Sequence, residues 1–139
     1  MANVIRVGVI GCGEVTQILH LPTLGELRDL FTVTALCDVS PLVLAAVGRS
    51  YPGAGLHGDF RKLAADPNVD AVMVGNPDAY HADAVVACIE AGKHVLLEKP
   101  IAVTLEDADR MIAAAAKSPV TVQVGYMRRF APAYVDAVT

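Results

Sequence analysis

Val4-Ile5-Arg6-Val7-Gly8-Val9-Ile10 runs straight into Gly11-Cys12-Gly13, and this junction constrains the fold more than any other stretch. A β-branched run suits a buried strand, and a Gly-x-Gly turn directly after it hands the chain to a helix. Gly11 permits the tight turn, and Gly13 leaves room for a phosphate to approach the backbone. The helix start that follows, at Glu14 and Val15, offers free N–H groups and a partial positive charge. The third position of the dinucleotide fingerprint is usually Gly or Ala but here is Thr16. Its branched side chain requires either that the helix stand slightly off or that its register be unusual. An ordinary glycine turn between strand and helix would use the same residues.

Strand-like and helix-like segments alternate along the rest of the chain. Strands are expected over residues 4–10, 31–37, 71–74, 94–97 and 120–124, with a short one near Leu56. The first helix is expected over 14–20, closed by a turn at Pro22. Ser40-Pro41 reads as an N-cap followed by Pro at the first helical position, opening a helix to about Val47. Phe60 to Ala65 reads as a short helix. Ala82, Val85, Val86 and Ile89 share one helical face, closed by Gly92. Thr104 with Asp107 is a capping-box variant opening a helix to about Lys117, and the tail from Phe130 has helical character. This alternation implies parallel pairing: an α/β doubly wound parallel sheet of about six strands, a Rossmann fold.

Composition narrows the functional classes. The chain has 139 residues, 54% of them hydrophobic, which is enough for one domain with a real core. No apolar run reaches the roughly 20 residues of a membrane helix, and no signal or transit peptide is legible. The apolar content suggests a sheet covered on both faces or a surface that meets something else. A net charge of −4 without a basic stripe argues against nucleic acid and anionic membranes as partners. Cys12, Cys37 and Cys88 are widely spaced and odd in number, which fits buried thiols in a reduced, cytoplasmic protein.

Polar and special-geometry residues follow the expected strands, at the rim where such sheets bind ligands. Asp38 ends the second strand. There its carboxylate could accept the adenosine ribose hydroxyls and repel a 2′-phosphate, favouring NAD over NADP; capping the Ser-Pro helix is the alternative. Asn76-Pro77 follows the 71–74 strand, and Glu98-Lys99-Pro100 follows 94–97. Pro100 biases Lys99 toward an extended backbone, and a cation there could orient a substrate oxygen, polarise it or relay its proton. A solvated Glu-Lys pair is the plainer reading. His81 could cap its helix, contact the cofactor or be structural; His20, His57 and His94 read as structural or surface. Tyr126, Arg128 and Arg129 follow the last strand. No metal-ligand spacing and no Ser-His-Asp arrangement is present.

Several of these segments occur in a familiar order. Gly11-Cys12-Gly13, His20-Leu21-Pro22, Asn76-Pro77-Asp78-Ala79-Tyr80-His81, Ala91-Gly92-Lys93-His94-Val95, Glu98-Lys99-Pro100 and Gly125-Tyr126-Met127-Arg128-Arg129-Phe130 together resemble the N-terminal domain of the Gfo/Idh/MocA family (glucose-fructose oxidoreductase and inositol dehydrogenase). The resemblance covers nearly all of the chain, and its most specific part is the stretch from Ala91 to Pro100. Thr16 departs from the small residue usual in that family.

The resemblance implies a nicotinamide-dependent dehydrogenase of a sugar, cyclitol or related polyol, with NAD as cofactor and NADP possible. Gly11, Cys12, Gly13, Glu14, Val15, Asp38, Asn76, Pro77, His81, Glu98 and Lys99 would line the cofactor site, and Lys99 would be the catalytic group beside nicotinamide and substrate. Tyr126 and Arg128 would approach the substrate side. Residues 1–125 would form the dinucleotide-binding domain and 126–139 the start of a crossover to a second domain. That second domain would supply most substrate contacts, a catalytic Asp/His pair and a homo-oligomer interface. The chain by itself is then expected to bind cofactor and turn over weakly or not at all. The alternative is a non-catalytic dinucleotide-binding or sensor module.

Overall fold

The computed structural model describes residues 3–138; Met1, Ala2 and Thr139, at the ends of the two expected domain spans, lie outside the described residues. Six strands, β1 (Ile5–Ile10), β2 (Phe31–Cys37), β3 (Gly55–His57), β4 (Ala71–Val74), β5 (His94–Leu97) and β6 (Val122–Val124), form one sheet in the order β3-β2-β1-β4-β5-β6. Every pairing is parallel, with Ile10 level with Cys37 on one side and Val74 on the other. The order reverses between β1 and β4, so the loops after those strands flank the switch point where this architecture opens a crevice.

Helices α1 (Leu21–Glu26) and α2 (Pro41–Gly48) cover one face of the sheet, burying Val7, Val9, Leu36 and Met73 with Leu21 and Leu44. Helices α3 (Phe60–Ala64), α4 (His81–Glu90) and α5 (Leu105–Ala116) cover the other, where Leu63, Val74, Val85, Cys88 and Leu97 are buried. A final helix, α6 (Pro132–Val138), has no buried residue. Local capping works as the residues dictate. The Ser40 hydroxyl accepts from the Val43 amide, Thr104 accepts from Asp107, and Gly92 closes the α4 connection at a φ of 74°.

Two expectations need correction. The first helical segment does not end in a turn at Pro22. It runs from Glu14 to Glu26, with a π-helical stretch over Thr16–His20 and Pro22 inside α1. Pro22 has no N–H to give the preceding turn, and the wide π turn, closed by the Leu21 amide on the Thr16 carbonyl, absorbs that gap. The last strand is shorter than 120–124, because the neighbouring β5 starts its pairing at Val95 with Val122. The Thr121 amide donates instead to the His94 ring. A 3-10 turn, Asp78–Tyr80, precedes α4.

Candidate functional site

The glycine turn is fixed by its neighbours on both sides. Gly11 has a φ of 86°, and a Cβ there would stand 2.5 Å from the Asn76 nitrogen, so neither the backbone angle nor the space admits a side chain. The Gly11 amide donates to the Cys37 carbonyl and the Gly75 amide to Ile10. Gly13 is the reverse case: it is exposed, and a Cβ there would meet nothing within 4 Å. The first bond of the helical segment is Gln17 N–H to Gly13 C=O at 3.0 Å. By helix geometry, the exposed amides of Glu14 and Val15 then have no acceptor one turn upstream.

Cys12 is held by the protein at both its side chain and its backbone. Its side chain is fully buried, its amide donates to Asp38 Oδ2 at 2.9 Å, and its carbonyl accepts from Gln17 Nε2 at 2.7 Å. Burial, and then the nearby Asp38 charge, push the Cys12 thiol up to about 11, so it stays protonated. Thr16 adopts the unusual register rather than a stand-off. It is buried, its hydroxyl donates to the Gly11 carbonyl at 2.6 Å, and Gly75 gives it room, since a Cβ on Gly75 would lie 3.2 Å from Oγ1.

Asp38 holds this turn together. One carboxylate oxygen accepts from Cys12 N–H and the other from Ser40 N–H at 2.8 Å, joining the glycine turn to the start of α2. Asp38 also lines a cleft of about 550 Å³ with Gly11, Asp59, Asn76, Pro77 and Tyr80, and no lysine or arginine lines it. A second cleft, about 500 Å³, is lined by Val15, Ile18, Asn76, Glu98, Lys99 and Met127. Asn76 belongs to both. Its amide nitrogen donates to the Tyr80 carbonyl at 3.3 Å, while its Oδ1 is buried with no hydrogen-bond partner. An orphaned buried acceptor costs roughly 1–3 kcal/mol, so a donor brought by a ligand would fit here.

Lys99 is exposed at this second cleft and joins Pro100 through a cis peptide bond. Its neighbours hold it from both sides. Glu98 Oε2 accepts from the Lys99 amide at 3.0 Å, while Glu98 Oε1 lies 2.7 Å from His20 Nε2. Both oxygens of Glu98 are thus engaged within the protein, while its side chain lines the cleft beside Lys99. His81 is also a support. It is 1% exposed, with Nδ1 2.9 Å from the Pro100 carbonyl and Nε2 2.9 Å from the Asn76 carbonyl, so it clasps the two loops that bound the cleft.

Tyr126 and Arg128 do not line either cleft; Met127 does. Met127–Phe130 form a 3-10 turn, whose successive side chains point about 120° apart, so only one of three faces the site. Arg128 instead bonds the Tyr134 hydroxyl and lies over that ring. His20, Tyr80 and Met127 join the site with no signal beyond their places in the His20-Leu21-Pro22, Asn76–His81 and Gly125–Phe130 segments.

Residues 5–126 match the family model of the GFO_IDH_MocA oxidoreductase family, NAD-binding Rossmann fold. Inositol 2-dehydrogenase 1 of Saccharopolyspora erythraea is 42% identical, over 95% of this chain and 40% of its own length. The crystal structure of a probable dehydrogenase from Thermotoga maritima superimposes with a TM-score of 0.85 at 37% identity, covering 91% of this chain and 37% of that one. Scyllo-inositol dehydrogenase from Lactobacillus casei, solved with NAD(H) and scyllo-inositol, gives 0.89 at 26% identity, covering 97% and 40%. The chain spans between 31% and 40% of the length of the curated relatives it matches.

Proposed function

Because the chain belongs to the Gfo/Idh/MocA oxidoreductase family, matching its NAD-binding Rossmann domain, we propose that it is the cofactor-binding part of an NAD(P)-dependent dehydrogenase of a sugar, cyclitol or related polyol. One observation carries this reading. Two clefts, one lined by Asp38 and the other by Lys99, share Asn76 in their walls, and the buried Asn76 Oδ1 has no hydrogen-bond partner. Residues 1–125 form the dinucleotide domain in this reading and 126–139 lead toward a substrate domain that also makes the homo-oligomer.

The nicotinamide supplies hydride transfer when bound. The chain's own residues bind and orient. Gly13 admits a pyrophosphate to the amides of Glu14 and Val15. Asp38 accepts ribose hydroxyls on the lone pairs left by Cys12 and Ser40, and Asp38 with Asp59 in one cleft disfavours a 2′-phosphate, so NAD is preferred to NADP. Pro77 shapes the wall beside Asn76. The Lys99 side chain holds the reacting oxygen of the substrate; as the amine it would take the hydroxyl proton when hydride leaves the carbon, and as the ammonium it would return that proton in the reverse direction. The Tyr126–Arg128 turn lies toward the substrate side and contributes Met127 to the cleft. Three buried free thiols suit a reducing compartment, and we assign the protein to the cytoplasm. Among the described residues no helix is long and apolar enough to cross a membrane.

NADH fluorescence titration of this chain tests the reading. Saturable binding is expected, and no binding at millimolar NADH would refute it. In the full-length protein, Lys99→Ala should abolish turnover and keep NADH affinity. Unchanged behaviour there would favour the non-catalytic sensor module.

A further inference from the structure

We propose that His20 is a positioning residue for Lys99, acting through Glu98; the inference rests on Lys99 being the working cation of the cofactor cleft. The ring and the carboxylate are 2.7 Å apart, each side chain about 17% exposed, and they are 78 residues apart in the chain. The second Glu98 oxygen takes the Lys99 amide. Fixing Glu98 therefore fixes the backbone from which the Lys99 side chain leaves. His81 anchors the other side of Lys99 through the Pro100 carbonyl. Lys99 is thus held between two histidines, neither of which need touch cofactor or substrate.

The π-helical stretch explains why His20 is there. In a regular α-helix residue 21 would lie about 140° around the axis from residue 16. The wider turn, closed by the Leu21 amide on the Thr16 carbonyl, brings both onto the core side, where both are buried. His20 then borders the core and meets Glu98 at the end of β5. The carbonyl of Leu19, next in line, is satisfied by the Thr23 hydroxyl at 2.7 Å. The pair also forms a wall: Glu98 lines the Lys99 cleft, while His20 lines an apolar groove of about 370 Å³ against Leu24, Met73 and Leu96 on the sheet face. A short contact between potentially opposite charges, partly removed from water, is the kind of hydrogen bond that fixes geometry. The other titratable or charged groups around it are Asp78, His81 and Lys99 in the cleft and His94 in the groove.

The test is an amide NMR titration of this chain, following the Lys99 N–H in wild type, His20→Gln and His20→Leu, with NADH affinity measured alongside. In wild type the Lys99 resonance should step when the ring beside Glu98 gains or loses its proton. His20→Gln keeps a donor for Glu98, so the resonance should stay near its wild-type position and lose the step. His20→Leu should displace it and leave NADH affinity near that of wild type, as expected of Lys99→Ala. A step that persists in His20→Gln would trace to His81 or His94 and overturn the proposal, as would a His20→Leu variant with a wild-type Lys99 resonance. Should His20→Leu not fold, the His20→Gln step alone decides. A wild-type chain that bound no NADH would sink the proposed function, while the Lys99 step would still test the His20–Glu98 connection.

Discussion

Gly11 and Gly13 sit two residues apart in one turn, yet the structure gives them opposite duties, and alanine at each separates folding from binding. At Gly11 an alanine has to adopt a φ of 86°, costing about 1–2 kcal/mol. Its Cβ would also stand 2.5 Å from the Asn76 nitrogen, a backbone atom, so the β4 loop must move; overpacking of this kind costs about 1–3 kcal/mol. Together these take about 2–5 kcal/mol from a total that is commonly about 5–15, a fall in Tm on the order of 10 °C for a chain of this size. At Gly13 an alanine meets nothing within 4 Å and φ is not positive, so the folded state is unharmed and the stiffer unfolded chain adds up to about 1 kcal/mol of stability. The new methyl stands where a pyrophosphate has to approach, and NADH affinity should fall about tenfold or more, about 1.4 kcal/mol. Thermal melts and NADH titrations of the two variants form the assay. Gly13→Ala melting as low as Gly11→Ala, or staying folded and binding NADH as wild type does, would refute the assignment of the turn as a phosphate cradle.

Lys93→Met should cost about 2–3 kcal/mol in denaturant unfolding, because the ammonium donates to the carbonyls of Asp66 and Val69 at 2.9 and 2.7 Å and its loss strands both acceptors. The thiols give a pH signature. Burial pushes Cys12 up to about 11 and Cys37 and Cys88 up to about 12, from an ordinary value near 9. All three therefore remain protonated in the folded state when an unfolded chain would ionise them. Their contribution is fully present below pH 9 and drains away as pH rises toward 11 and 12, so the stability curve should bend downward on that alkaline limb. Iodoacetamide labelling at pH 8 should proceed only as fast as the chain opens; rapid labelling of native protein would contradict the burial.

What the sequence made legible was what neighbours along the chain decide. The β1 run, the Ser40-Pro41 and Thr104–Asp107 caps and the apolar face of α4 are local patterns, and each formed where its residues set it. What escaped it depends on partners far away in the chain. The Cys12 amide is taken by Asp38, 26 residues on. His20 meets Glu98, 78 residues on, at the end of a π-helical stretch in which Thr16 is seated against Gly75 and which Pro22, lacking an N–H, follows. Arg128 bonds Tyr134 in the folded tail. Asp38 shows why such sites resist either/or readings. Capping and ribose binding stood as alternatives for its carboxylate, yet the two oxygens offer about four acceptor positions, and the protein's own amides of Cys12 and Ser40 engage one on each. The cap of α2 is Ser40, and the Asp38 bonds that hold the turn leave each oxygen a further acceptor position at the cleft, where a ribose hydroxyl would be taken on the proposed reading. Asp38→Asn should then lose on both counts: its amide can accept at only one of the two positions, which loosens the turn, and a weaker acceptor is left for a ribose hydroxyl.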